Sequence, residues 1–402
     1  MNILFSCDEY PPLCTGGIGT ATKTVAEGLV RKGHTVVVVS GWLPTHDLPF
    51  FSKQNGVIVY RLKYFCNIPF ICNNGILGKM CRTILAKTGI LTSLAIKEYN
   101  RTAQYINELI DKHNIDVIEL PDYSILTKYI QRQTKIEYPK YKVPVVGRVH
   151  GNESFLSYNK SGNLYAITKD NDKRFFESCD KILSVSKFAA DFVNNTLEVE
   201  KNIDVIYNPM NANFIVDDNE INDDRTKNII FIGKIIETKG AFNLLRAYNS
   251  FSQEHPDYKL IMIGGGEIEQ GKLLVPEQLC DRVEFTGFVD SVHVREYLKT
   301  AAFCVVPSFF ETLGQGAIEM MGLGNILIYT NTSTGPEIIT DGIDGFLVDP
   351  YVVDAIHDKM SYVATNIDEL KEVRHQAART VRERFAEDIV ISQLEDYYKS
   401  IC

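Results

Sequence analysis

The sequence predicts an α/β protein built from two doubly wound units, and three observations carry that prediction. Short β-branched runs alternate with amphipathic helical segments through almost all of the 402 residues. The runs are continuously apolar rather than alternating, the pattern of strands buried on both faces of a parallel sheet. Finally, residues 208–228, NPMNANFIVDDNEINDDRTKN, are polar and acidic with neither helical nor strand period, and read as a linker. Strand-helix alternation on both sides of such a break gives two α/β units.

The elements follow in order. Ahead of the break the expected strands are NILFS, VVVV at 36–39, DVIEL at 116–120, PVVGRV at 144–149, KILSVS at 181–186 and IDVIY at 203–207. Behind it come NIIFIG at 228–233, KLIMIG at 259–264, RVEFTG at 282–287, FCVVP at 303–307, ILIYT at 326–330 and GFLV at 345–348. TATKTVAEGLVRKG and AFNLLRAYNSFSQE carry helical amphipathicity between them. The domain boundaries expected from this order are residues 1–208 and 209–385.

Composition excludes several functions. The chain is 45% hydrophobic and 23% charged, as a folded globular protein should be. No stretch approaches the roughly 18 to 20 apolar residues of a membrane span. MNILFS reads as a first strand and not as a basic, cleavable leader. Nine cysteines are scattered without a C-x-x-C pair, which suggests reduced thiols and a cytoplasmic protein. A net charge of −9 argues against a nucleic-acid partner.

Parallel sheets bind ligands at the carboxyl ends of their strands, so a site is expected in the cleft between two such units. The unusual residues fall at strand ends. Gly16, Gly17 and Gly19 open a helix after the first strand; they form either a tight turn or a place where backbone N–H groups approach a phosphate or sugar hydroxyl. A nicotinamide cofactor fits poorly: in G-x-G-x-x-G register the third position is Thr22, and VVVVSGW ends without an acid for a ribose. His150 ends an apolar strand and is followed by Gly151 and the polar Asn152 and Glu153; it is a substrate contact or a half-buried structural imidazole. Lys234 and Lys239 flank a loop closing at Gly240, either as a solvated pair or as cations that offset charge on a departing diphosphate. Gly264 and Gly265 follow another strand.

Residues 308–324, SFFETLGQGAIEMMGLG, place Glu311 just before a helix start and Glu319 inside the helix. A cap needs only the first. The free N–H groups at the helix start can hold phosphate, Glu311 can accept from sugar hydroxyls, and Glu319 can grip a ribose diol. One sugar, two phosphates and a ribose span a nucleotide-sugar. No H-E-x-x-H or Cys/His spacing accompanies them, so no metal is expected. The single D-x-D, Asp170-Asn171-Asp172, lies in a Lys-rich segment and reads as a surface turn.

With these residues in view, the chain resembles the retaining family 4 glycosyltransferases of GT-B fold over nearly its full length. EYPPLCTGGIGTATKTVAEGLVRKGHTVVVVS is similar to that family's opening strand, Gly-rich loop and second strand; ESCDKILSVSKF and VIYNP resemble later blocks. GKIIETKG resembles its G-R-L-x-x-x-K-G segment, ETLGQGAIE its E-x7-E motif, and TGPEIITDGIDGFLVDP its tail block. The resemblance implies that Glu311 contacts the donor sugar, Glu319 the ribose, and Lys234 with Lys239 the diphosphate. It also implies backbone N–H groups from Leu313, Gly314 and Gln315, closure of Gly16, Gly17 and Gly19 over the donor, and His150 in the sugar pocket. Catalytic roles would fall to His150, Glu311 and Lys239, with Gly264 and Gly265 beside the donor. The last helix, 386–402, would pack back on the first domain. Two positions depart from the family: Lys234 stands where Arg is usual, which weakens bidentate phosphate gripping, and Leu313 stands where Phe is usual.

The activity so implied is transfer of a hexose or N-acetylhexosamine from a nucleotide-sugar to an acceptor hydroxyl with retention, in bacterial surface glycan synthesis. No cofactor is expected, and UDP-sugar is favoured over GDP-sugar as co-substrate. A non-catalytic sugar-nucleotide-binding subunit is the alternative, and a nonhydrolysing sugar-nucleotide epimerase would share the fold. The partner is a glycan or lipid-linked acceptor. Residues 61–103 hold seven cations against Glu98 alone, with apolar runs among them. They read either as a flap and core helix or as a contact with an anionic membrane surface, which would make the protein peripheral on the inner face of the membrane.

Overall fold

The computed structural model of the chain describes residues 1–12, 17–42, 48–65 and 76–402. These group into two compact units: Met1–Pro209 with Val390–Cys402, and Met210–Ile389.

The first unit is built on a sheet whose described strands are β1 (Asn2–Ser6), β2 (Thr35–Trp42), β3 (Phe51–Gln54), β4 (Val57–Lys63), β5 (Val117–Pro121), β6 (Val145–Val149), β7 (Lys181–Ser184) and β8 (Ile203–Val205). Their order is β3-β4-β2-β1-β5-β6-β7-β8. All pairs are parallel except β3 with β4. The central strands are apolar on both faces, as helix-covered parallel strands must be: Ile3, Leu4, Val36 to Val39, Val117 and Ile118 have no more than 1% exposure.

The sequence reading passed over β3 and β4. Their signal was Asn55-Gly56, the dipeptide of a tight hairpin, and both residues have positive φ, 47° and 87°. The hairpin places an antiparallel strand at the sheet edge.

The second unit carries β9 (Asn228–Ile232), β10 (Lys259–Ile263), β11 (Val283–Gly287), β12 (Phe303–Val306), β13 (Leu327–Thr330) and β14 (Phe346–Val348), ordered β11-β10-β9-β12-β13-β14 and all parallel. Ile229, Phe231, Leu260, Met262, Val305 and Ile328 pack with Leu244, Leu245, Tyr248 and Phe251 of the helix Ala241–Glu254 into one core.

The expected linker is corrected by the structure. From Met210 onward it belongs to the second unit, where Met210, Phe214 and Val216 are buried. Arg225 then donates to the carbonyls of Leu298 at 2.9 Å and Gly324 at 3.1 Å, and to Asn325 Oδ1 at 3.1 Å. A segment can lack periodicity because its apolar residues anchor it singly, and this one does.

Residues 390–402 complete the first unit's core. Val390, Ile391, Leu394 and Tyr398 lie with Phe5 and Val38, and the Tyr398 hydroxyl donates to the buried Glu119 carboxylate at 2.6 Å. The basic stretch 61–103 is also partly corrected. Arg61 is only 2% exposed and spends its guanidinium on Ser52 Oγ and the Pro11 carbonyl, so it adds no charge to a surface. Residues 66–75 lie outside the described residues. Met80 and Ile84, on the helix Ile76–Lys87, are exposed. No helix among the described residues is long and apolar enough to cross a membrane.

Candidate functional site

The strand order of the second unit decides where a ligand can enter. The chain leaves β9 for β10 and β11 on one side, then returns to place β12, β13 and β14 on the other. The crossovers thus diverge between β9 and β12 and leave a crevice at their carboxyl ends. The loops that follow those two strands carry Lys234, Lys239 and Glu311.

Close backbone approach brings these loops together. Gly240 has φ 66°, and a Cβ there would lie 1.8 Å from the Pro307 carbonyl oxygen. Beside it the Phe309 N–H donates to the Thr238 carbonyl at 3.0 Å. The consequence is an ion pair: Lys239 Nζ donates to Glu311 Oε1 at 2.7 Å, with the two side chains 30% and 16% exposed. The sequence reading gave these residues separate roles, on diphosphate and on sugar. The structure joins them in one ion pair. Lys234 is exposed and has no ion pair among the described residues.

The helix Gln315–Gly322 begins directly behind Glu311. Gly314 caps it at φ 81°, with no room for a Cβ, because Tyr329 Oη would be 2.1 Å away. Its first turn leaves backbone N–H groups without partners, as every helix does, and none from Leu313, Gly314 or Gln315 has an acceptor among the described residues. The Leu313 side chain is buried and its carbonyl accepts from Thr334 Oγ1 at 3.2 Å. After β10, Gly264 approaches Gly233 so closely that a Cβ would meet its carbonyl oxygen at 2.0 Å, whereas Gly265 has open space. Sequence reasoning missed Ser333, whose Oγ accepts from the Glu311 N–H at 3.1 Å and which adopts φ 50° to do so. Its signal lay in NTSTGP at 331–336, a turn after an apolar strand.

Glu319 projects from the second turn, half-buried and without a hydrogen-bond partner among the described residues. Desolvation alone pushes its carboxyl up to about 7 from 4.5. The folded protein therefore holds this proton more tightly than the unfolded chain. That stability is fully present below about 4.5 and lost as pH rises through about 7. Glu319→Gln is expected to melt with the wild type at pH 4.5 and above it at pH 8. Coincident melts at both pH values would contradict the assignment.

His150, Gly17 and Gly19 belong to the first unit, and Gly16 lies outside the described residues. Gly19 is needed for packing, since a Cβ would meet the Glu9 carbonyl oxygen at 2.0 Å; at Gly17 a Cβ would meet nothing within 4 Å among the described residues. His150 is half-buried beside a cavity of about 10 Å³ that Thr22, Glu119 and Arg148 also line. Burial first, and the Arg148 cation second, hold its imidazole down to about 3. It is neutral at any ordinary pH and acts as a hydrogen-bond group, not as a cation.

Two acids that the sequence reading did not single out organise this face. Asp122 accepts from the His150 and Gly151 N–H groups at 3.0 and 3.2 Å. Asp8 accepts from Ile125 N–H, Gly41 N–H and the Tyr64 hydroxyl at 2.7, 3.2 and 3.1 Å. Each follows an apolar strand, LFSCD and VIELPD, which was the available signal.

The Asp170-Asn171-Asp172 reading is corrected. The triplet lies in the helix Ala166–Ser178, with Asn171 and Asp172 fully buried. Asp172 accepts from Gln131 Nε2 and Ser154 N–H, both at 2.8 Å, and Asn171 holds the 131–136 backbone. It is a packing element. Among the described residues no group of three or more His, Cys, Asp or Glu could hold a metal ion.

Comparison with known proteins bears on the family and the fold. The model of "Glycosyl transferases group 1" matches residues 214–383, and that of "Glycosyltransferase Family 4" matches residues 15–214. An uncharacterized glycosyltransferase of Methanocaldococcus jannaschii is 27% identical over 99% of this chain and 98% of its own length. Among solved structures, sucrose-phosphate synthase from Thermosynechococcus elongatus superposes with a TM-score of 0.76 at 16% identity, covering 99% of this chain and 98% of that one. Anabaena HepE, solved in complex with UDP and glucose, gives 0.67 at 15% identity over 100% of both chains.

Proposed function

The chain is a family 4, group 1 glycosyltransferase of GT-B fold, and from that premise we propose that it moves a hexose or N-acetylhexosamine from a nucleotide-sugar to an acceptor hydroxyl with retention. One observation supports this most: Lys239 and Glu311 meet in the loops that follow β9 and β12 of the second unit, directly ahead of the helix that starts at Gln315 and carries Glu319. Their chemistry matches a donor taken end to end. Glu311 accepts from sugar hydroxyls, Lys239 and the N–H groups of Leu313 to Gln315 carry diphosphate charge, and Glu319 takes the ribose diol. A UDP-sugar is favoured, in keeping with the UDP in the HepE complex.

In the reaction, the bond from C1 to the diphosphate oxygen breaks through an oxocarbenium-like state. The acceptor oxygen bonds to C1 on the same face and its proton passes to the leaving diphosphate. Negative charge grows on that diphosphate as the bond opens, where Lys239 acts. A non-catalytic donor-binding subunit would need none of this, and Glu311 and Lys239 kept in contact favour transfer.

The test is a panel of UDP-, GDP- and ADP-sugars read by thermal stabilisation, since a bound ligand raises stability by mass action. The best binder is then followed by NMR for slow hydrolysis. The expected result is stabilisation by one class and release of the free sugar as the anomer it had in the donor. An inverted first product would end the retaining reading, and binding without any turnover would favour the non-catalytic one.

Because lysines and a helix start offset the diphosphate, turnover is expected to survive EDTA unchanged. Loss in chelator with recovery in Mn²⁺ would contradict this. A role in surface glycan synthesis also brings an anionic membrane near the exposed Lys87, Lys97, Met80 and Ile84. Cosedimentation with anionic vesicles should fall in Lys87→Glu/Lys97→Glu; equal sedimentation of the two proteins discards this contact.

A further inference from the structure

A cavity of about 400 Å³ opens on the first unit, apart from the His150 cavity and from every residue assigned above. Its volume lies within the roughly 300 to 1,000 Å³ of small-molecule sites. Tyr123, Lys128, Arg132, Glu153, Leu156 and Tyr165 are among the residues that line it.

The charged groups are set rather than scattered. Glu153 is only 4% exposed and is held in an ion pair by Arg132. The Arg132 guanidinium also lies over the Tyr165 ring, 6.0 Å from its centroid. An exposed guanidinium paired with a buried carboxylate offers donors and acceptors side by side, which is what adjacent sugar hydroxyls require. Tyr165 and Leu156, 52% and 47% exposed, offer the apolar surface that the C–H face of a sugar ring covers. Lys128 is exposed and has no ion pair among the described residues. Its charge is therefore uncancelled, and the cavity is net positive in a chain of net −9.

The chain path ties this cavity to the reactive face. Tyr123 follows Asp122 directly, and Glu153 lies three residues beyond His150, whose backbone N–H donates to Asp122 as does that of Gly151. An occupant would lie beside the loops that end β5 and β6.

We propose that this cavity is the acceptor subsite, and that the acceptor is a saccharide bearing an anionic group, a uronic carboxylate or a phosphate. The proposal rests on the transferase reading above for the word acceptor; the binding itself does not. Arg132 and Glu153 hold hydroxyls, Tyr165 and Leu156 hold a ring face, and Lys128 selects the anion.

Saturation-transfer NMR on the full chain tests it with methyl glucoside, methyl glucuronide and glucose 6-phosphate as probes. At least one acidic probe should bind more tightly than the neutral one. Lys128→Glu should weaken the acidic probe roughly five-fold or more and leave methyl glucoside unchanged. Tyr165→Ala should weaken all three. Both positions are exposed, and a cooperative thermal melt of each variant, matching the wild type, reports that the variants fold. No preference for an acid, or a preference that survives Lys128→Glu, overturns the proposal. If the acids bind in this pattern while no nucleoside diphosphate stabilises the protein, the donor reading fails and the subsite stands. If nucleotide stabilises and no acid binds, the subsite fails and the donor reading stands.

Discussion

Lys239→Ala is expected to lower kcat roughly 100- to 1,000-fold while changing the donor KM far less. The reasoning is differential binding: only an interaction that strengthens toward the transition state accelerates the chemical step. Charge on the diphosphate grows as the sugar leaves, and the Lys239 ammonium lies 2.7 Å from Glu311, at the sugar end of the proposed donor. Losing one such group costs about 2.7 to 4 kcal/mol of transition-state stabilisation. The ion pair adds a second consequence. Without the lysine, the Glu311 carboxylate stands uncompensated close to the phosphates, so Lys239→Ala/Glu311→Gln should recover donor affinity without recovering kcat. Lys234→Arg, which keeps the charge at an exposed site, should be tolerated. Steady-state kinetics on these variants with one donor decides the matter, and a Lys239→Ala enzyme with raised KM and intact kcat would make the lysine a binding residue only.

Gly240→Val is expected to cost both stability and activity. At φ 66° a β-branched residue is strained by about 1 to 3 kcal/mol, whatever surrounds it. Here it would also drive a Cβ into the Pro307 carbonyl, which is backbone and cannot rotate away. Overpacking of that kind adds about 1 to 3 kcal/mol. For a unit of this size each kcal/mol moves Tm by about 2 to 4 °C. The loops after β9 and β12 would separate, and with them Lys239 and Glu311. Gly342→Val is the control, since Gly342 has φ 77° but open space where a Cβ would go. Thermal melts should show a clearly larger fall for Gly240→Val; equal falls would mean the Pro307 contact is unimportant.

The parallel strands were legible because burial on both faces leaves a mark no other element makes: NIIFI and KLIMI became β9 and β10 with almost unchanged ends. The hairpin β3–β4 was written in Asn55-Gly56; β3 is a half-exposed edge without apolar continuity, whereas β4, VIVYRLK, is buried and carried the same apolar run as the other strands but was passed over. The segment after 208 looked like a linker because its anchors, Met210, Phe214, Val216 and Arg225, are isolated in a polar run. The site shows the same division. Glu311, Glu319 and Lys239 stood out as charged residues at strand and helix ends. That Lys239 pairs with Glu311 depends on Gly240 meeting Pro307, a contact between residues 67 apart that no local pattern encodes. Asp8 and Asp122 were passed over because single acids after strands are common, and only the N–H groups converging on them reveal their work. Asp172 misled in the opposite direction, as its acidic, Lys-rich neighbourhood hid a buried helix face.

A crystal structure of the protein with a nucleoside diphosphate tests the central claim most directly, that the β9/β12 crevice of the second unit holds the donor. Phosphate oxygens are expected on the N–H groups at the start of the helix Gln315–Gly322 and within hydrogen-bond reach of Lys239 Nζ, with the ribose diol on the Glu319 carboxylate. Phosphates lodged instead at the helix start beside Gly17 and Gly19, with Glu319 touching nothing, would contradict it.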